Sequence, residues 1–159
     1  GDQVIPRITS NISVSGDEPE ANPLKAWMTS LERFQEVLPE DALVLPAHNV
    51  PFYGLHYRLR YLEEHHEEHL IALEEACLEG EPTALELLPV LFKRDLDEQH
   101  IGLAIGECIA HLNYLHQRGQ LQRSEDSLGR YCYLSTDGSL TQRLRKRHYV
   151  PQSEEPIQV

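Results

Sequence analysis

Asp2 stands just ahead of the short apolar run Val4-Ile5-Pro6, and His48 follows Leu43-Val44-Leu45-Pro46-Ala47. A carboxylate that can bridge two cations and a neutral imidazole are donor types that hydrolytic metal sites use. Such donors must be held rigidly, and strand ends do that. Taken singly, each has a plainer reading: Asp2 as a terminal residue, His48 as a loop histidine. On residue type and position alone the plainer reading is favoured.

Other groups invite chemistry and carry it less well. His65, His66 and His69 share a helical stretch at spacings of three and four, which places them on adjacent faces. The metalloprotease pattern HExxH would need a second histidine where Leu70 stands. Alternation of these histidines with Glu63, Glu64, Glu67 and Glu68 reads better as a charged helix surface. Cys77, Cys108 and Cys132 show no CxxC spacing; they are expected to be reduced and structural, two of them lying in helical apolar stripes. His111 and His116 lack a serine or carboxylate partner at recognisable spacing, and no glycine-rich phosphate loop is present.

The elements that must position these residues follow from periodicity and punctuation. Gln3 to Ile8 reads as a short strand, and Ser10 to Ala21 as a loop. Asn22-Pro23 opens a helix whose apolar stripe is Leu24, Trp27, Leu31, Phe34 and Leu38, ending near Pro39. Ala42 to Leu45, stopped by Pro46, suits a buried strand. Beyond Gly54, Leu55, Leu59, Leu62, His66, Leu70, Leu73 and Cys77 form one stripe of a long helix that Gly80 ends. Thr83 can cap a helix carrying Leu85, Leu87, Leu88, Val90 and Leu91. Asp95 or Asp97 can cap another, with Ile101, Ile105, Cys108, Leu112 and Leu115 on one face and Gly119 closing it. Leu121–Arg123 and Arg130–Leu134 alternate around a turn with Gly129, as a hairpin does. Helix, helix, hairpin is the order of a winged helix-turn-helix.

The chain has 159 residues, 40% of them hydrophobic, and a formal net charge of −12. That suffices for one domain or two small ones. The acidic balance argues against a bare nucleic-acid binder, since phosphate affinity comes from Lys and Arg. The second helix of the expected winged helix offers Gln99, His100, His111, Asn113, His116 and Gln117 to a base edge. Arg118 is its one strong cation, and Glu98 and Glu107 would repel phosphate. The module is therefore expected to pack on its neighbour rather than read nucleic acid. Arg143, Arg145, Lys146 and Arg147 form the one plausible phosphate contact, in a poorly ordered extension running to Val159. No apolar run approaches the roughly 20 residues of a membrane helix. No signal peptide is visible, and a cytoplasmic location is expected. The start at Gly1 without Met suggests a processed or truncated piece.

Taken together, Gly1-Asp2, Ile5-Pro6-Arg7-Ile8, Ser10-Asn11-Ile12-Ser13, Asn22-Pro23-Leu24 and Leu43 to His48 resemble the later ligand motifs of the metallo-β-lactamase superfamily. Pro51-Phe52, Gly54-Leu55 and His65-His66-Glu67-Glu68 extend the likeness, which runs to about Leu134. The nearest subgroup is the β-lactamase-like hydrolases with an added winged helix, more distantly similar to glyoxalase II. The resemblance implies an α+β fold: the C-terminal half of an αββα sandwich (1–55), a connecting helix (56–80), a winged-helix domain (81–135) and an extension (136–159). It implies a hydrolase with two zinc ions, iron or manganese being alternatives. Asp2 would bridge the metals and His48 would be a ligand of the second metal, with Phe52 and Tyr53 as candidate substrate wall. An acyl or thioester substrate is preferred. The alternatives are an endoribonuclease-type phosphodiesterase and a non-enzymatic winged-helix interaction module.

Two departures stand out. Ala47 and Asn49 occupy positions where the family usually has Gly; Asn tolerates positive φ, whereas Ala47 must keep a negative one. The HxHxDH signature, which supplies most ligands, is absent from the sequence. Two ligands fall short of the three a catalytic zinc normally takes. The chain alone is expected to be inactive and to pair with an N-terminal half carrying that signature, in the same protein or a companion chain. An uncovered half-sandwich would also favour self-association.

Overall fold

Side-chain caps and left-handed turn residues set the helix boundaries in the computed structural model, which describes residues 2–93 and 96–142. Asn22 Oδ1 accepts from the Lys25 amide at 3.0 Å, and Pro23 occupies the first helical position of α1 (Pro23–Val37). Gly54, at φ 93°, makes a left-handed turn that only glycine adopts without strain, and α2 (Leu55–Ala76) starts there. Thr83 and Glu86 cap each other reciprocally at the start of α3 (Ala84–Leu91). Asp97 Oδ1 accepts from the His100 amide at 2.9 Å at the head of α4 (Glu98–Gln117), so Asp97 fills the expected capping role; Asp95 lies outside the described residues. After α4 the chain reverses at Gly119 and pairs β1 (Leu121–Glu125) antiparallel with β2 (Tyr131–Ser135). Asp126 Oδ1 accepts from the Leu128 and Arg130 amides and so shapes the hairpin turn. An isolated bridge, Thr83 to Cys132, ties the segment before α3 to the hairpin.

All seven residues of the long-helix stripe are buried, as their spacing requires. Their upper half, Leu70, Leu73 and Cys77, packs with Leu87, Leu88 and Leu91 of α3 and Cys108, Leu112 and Leu115 of α4. Leu121 and Tyr133 of the hairpin, Leu24 of α1 and Ile12 complete this cluster. Burying each such leucine contributes roughly 1.5–3 kcal/mol. Leu55, Leu59 and Leu62 make a second cluster with Val4 and Leu31, and Trp27 borders both. The three cysteines are free and buried, and burial pushes the Cys77 and Cys108 thiols up to about 12, so they pack as small apolar groups.

The strands expected before residue 50 do not form. Residues 3–8 run through turns and bends, although Val4 and Ile5 are buried. The reason lies in α2: Arg58, only 7% exposed, donates from Nε to the Ile5 carbonyl and from Nη2 to the Ile8 carbonyl, both at 2.7 Å. A guanidinium, not a neighbouring strand, satisfies this backbone. In the stretch 42–45, expected as a buried strand, Leu43 and Leu45 are exposed, and a single bridge from Val44 to Phe52 is formed. The described sheet structure is thus the β1–β2 hairpin with two isolated bridges.

Beyond the hairpin, fully buried Glu74 accepts from the Thr141 amide and hydroxyl at 2.6 Å and from the Leu140 amide at 3.3 Å. It fastens the end of the described chain to α2. The basic stretch 143–148 and the tail to Val159 lie outside the described residues, as do Gly1 and the Gln99 side chain. Among the described residues no helix is long and apolar enough to cross a membrane.

Candidate metal centre

Two segments 46 positions apart in sequence converge on one solvent-accessible spot. His48 Nε2 lies 3.4 Å from Asp2 Oδ1, with the side chains 67% and 54% exposed. Asp2 is held from behind: its carbonyl accepts from the Ser10 hydroxyl, and Gln3, next in sequence, donates to Ser30 on α1. Val4 and Ile5 then root the segment in the core beside Arg58. His48 sits at the turn after Pro46, and Asn49 takes φ 71° to complete it. Asn49 is the one non-glycine residue described with positive φ, so Ala47 stays out of that region and the glycine substitutions leave the turn intact.

An aspartate oxygen and an imidazole nitrogen at this distance form an ion-pair contact, and the separation also suits two donors of one cation. Bonds of about 2.0–2.2 Å from a tetrahedral zinc place neighbouring oxygen and nitrogen donors roughly 3.3–3.4 Å apart, and the observed separation is 3.4 Å. Among the described residues no group of three or more His, Cys, Asp and Glu side chains is arranged to hold a metal ion. Phe52 is half-buried against the Leu31–Leu55–Leu59 cluster and bridges Val44, while Tyr53 is exposed beside it.

The polar residues of α4 are turned to internal use. Asn113 Nδ2 donates to the Pro19 and Ala21 carbonyls at 2.8 and 2.9 Å, and Gln117 donates to the Glu20 carbonyl at 2.9 Å. Asn22 in turn donates to Gln117 Oε1 at 2.9 Å. Glu107, expected as a surface charge that would repel phosphate, is only 8% exposed and accepts from Asn11 at 3.1 Å. His111 turns to His66 of α2, while the 11–22 segment engages Asn113 and Gln117, two of the residues expected to face base edges. Gly106 permits this contact, because a Cβ there would meet Ser13 Cβ and the Val14 carbonyl at 3.0 Å. Gly106→Val is expected to lift the segment from α4 and lower stability by about 1–3 kcal/mol, the usual cost of overpacking; chemical denaturation measures it.

Sequence reasoning missed Arg58 and the histidine contacts of α2. His66 lies in the apolar stripe as its spacing requires, but the adjoining histidines do not simply face solvent. His66 and His111 are fully buried, with His66 Nδ1 3.1 Å from His111 Nε2. The clue available was His66 itself, a polar residue at a core position of the heptad-like stripe.

A family model described as the metallo-beta-lactamase-like C-terminal domain matches residues 70–136. Among solved structures, a beta-lactamase domain protein from Burkholderia ambifaria is 40% identical with a TM-score of 0.82, the match covering 85% of this chain and 40% of that one. A metallo-beta-lactamase family protein from Thermus thermophilus is 30% identical with a TM-score of 0.69, covering 84% of this chain and 40% of its own. The chain thus spans about two-fifths of the length of each. No curated protein matches. Over residues 70–136 the chain is similar to a metallo-beta-lactamase-like C-terminal domain, and over most of its length it shares the fold of the corresponding part of beta-lactamase-fold proteins.

Proposed function

We propose that this chain is the C-terminal portion of a metal-dependent hydrolase in which Asp2 and His48 are ligands. The observation that carries the reading is the 3.4 Å approach of Asp2 Oδ1 to His48 Nε2 at an accessible surface, with the Asp2 segment anchored by buried Val4 and Ile5. The likeness of fold to beta-lactamase-type proteins supports it. The remaining ligands would come from an N-terminal half carrying HxHxDH, whose place is the exposed apolar surface of Leu43, Leu45 and Val50.

In the joined enzyme Asp2 would hold both ions and orient the attacking oxygen, and His48 would hold the second ion. Bound zinc supplies a nucleophile at neutral pH and Lewis-acid stabilisation of a developing oxyanion. Arg58 keeps the Asp2 segment in place through the Ile5 and Ile8 carbonyls. Tyr53, exposed on the loop after His48, would contact the substrate, and half-buried Phe52 would support that wall from below.

An acyl or thioester substrate is preferred over RNA, because the chain carries a net charge of −12 and Asn113 and Gln117 of α4 are engaged by the 11–22 segment. The residues 81–135 would then serve as a winged-helix module packed on the hydrolase unit rather than on nucleic acid. The joined protein is expected to bind two zinc ions per chain and to hydrolyse a thioester, while this chain alone binds none stoichiometrically. Metal analysis and thiol release measure both. Stoichiometric zinc on this chain alone would sink the shared-site reading; RNA cleavage without thioester hydrolysis would favour the nuclease alternative.

A further inference from the structure

The contact between α2 and α4 is built around imidazoles. His66 and His69 of α2 meet His111 of α4, with ring centroids 5.3 Å and 5.5 Å apart, and His65 packs on His69 at 4.2 Å within α2. The hydrogen bonds determine where the protons sit. A carbonyl can only accept, so the 2.8 Å contact of His111 Nδ1 with the Glu107 carbonyl places a proton on that nitrogen. His111 Nε2 is then a bare acceptor, and His66 Nδ1–H donates to it. That leaves His66 Nε2 without a proton, and it is a buried atom with no hydrogen-bond partner; His69 Nδ1 is another.

We propose that this histidine cluster is an acid-sensitive joint: it holds α2 against α4 only while its rings are neutral, and mild acid opens it. A second proton is costly at either ring. On His111 Nε2 it would turn His66 to its Nε2–H tautomer, leaving that buried N–H without an acceptor beside a buried cation; on His66 Nε2 it would leave a buried cation with no acceptor. The groups acting on the cluster come from both helices. On α2, Glu68 favours a charge on His65 while Arg58 opposes it. On α4, Glu107 offers its carbonyl to His111, and its carboxyl is engaged by uncharged Asn11 of the N-terminal segment. From α1 and α3, Leu24, Met28, Leu87 and Leu88 join the apolar cluster that also holds Leu70 and Leu73 of α2 and Leu112 of α4.

Burial, with repulsion from neighbouring histidines, pushes His66 and His69 down to about 3; burial pushes His111 down to about 4. Below the ordinary histidine value of 6.5, the unfolded chain therefore takes up protons that the folded chain refuses. The stability is fully present above that value and is lost as pH falls toward the folded values. Glu107 acts with the opposite sign. Burial raises it to about 7 from 4.5, so its contribution is full below 4.5 and lost as pH rises through 7. The three strongly shifted histidines against Glu107 leave roughly two protons taken up on unfolding between about pH 6 and 5, while His65, lowered by burial, and Glu63, raised by burial, act with opposite signs.

The test is the pH dependence of unfolding in the full chain, with H66L/H111L for comparison. From about pH 6 to 5 the folding equilibrium constant is expected to fall about a hundredfold in the wild type and to change little in the double variant. A wild-type change below about threefold, or a double variant that keeps the wild-type slope, overturns the proposal. Should the double variant not fold, the imidazole Cε1–H resonances of the wild type decide. Rings of His66 and His111 that stay neutral down to the onset of unfolding support the joint; rings that titrate near 6.5 in a folded chain overturn it.

Discussion

Replacing His48 with Ala, in a protein that joins this chain to an HxHxDH-bearing half, is expected to lower kcat/KM by about 10³-fold or more, equivalent to several kcal/mol of lost stabilisation. Asp2→Ala is expected to do at least as much, because the bridging carboxylate would serve both ions. Neither change should alter folding of the chain: both side chains are more than half exposed, and their contact is at 3.4 Å. Exposed pairs of this kind contribute only about 0–1 kcal/mol. Steady-state kinetics, metal content and thermal unfolding of each variant separate the two effects. A variant with full metal content and full activity would remove Asp2 and His48 from the site.

The second large effect is expected at Arg58. Arg58→Met retains the apolar stem but removes the donors to the Ile5 and Ile8 carbonyls. One buried and one part-buried charge-assisted hydrogen bond are lost and the buried Ile5 carbonyl is left without its donor, a cost of about 3 kcal/mol. The change should be visible in denaturant midpoints and as early proteolysis within residues 2–12. In the joined enzyme activity should fall as well, since Asp2 belongs to the segment that is released. Lys at position 58 is not expected to rescue, because one ammonium lacks the planar fork that reaches two carbonyls. Unchanged stability in Arg58→Met would show that the N-terminal segment is held by Val4 and Ile5 burial alone.

His48 and Arg58 mark how legible the molecule is. The helix starts at Asn22, Thr83 and Asp97, the stripe from Leu55 to Cys77 and the hairpin around Gly129 all lie where local chemistry puts them. Caps, apolar period and turn residues act over a few positions, so the chain carries that information in consecutive letters. Asp2 and His48 stand out in the sequence only through a resemblance that gathers weak fragments, and the structure places them side by side. Nothing in the spacing alone could do so, because the intervening chain can fold in many ways.

Other features depended wholly on tertiary contacts. Residues 3–8 and 42–45 have strand-like patterns, yet a strand requires a partner backbone, and in the first case Arg58 takes the carbonyls instead. Glu107 and His66 read as charged helix surface or ambiguous stripe members until α2 and α4 are packed together. Local sequence determined which segments are helices and which faces are apolar. The packing of those helices decided which polar groups were shut away from water, since burial is a property of the neighbours a side chain meets and not of its own residue type.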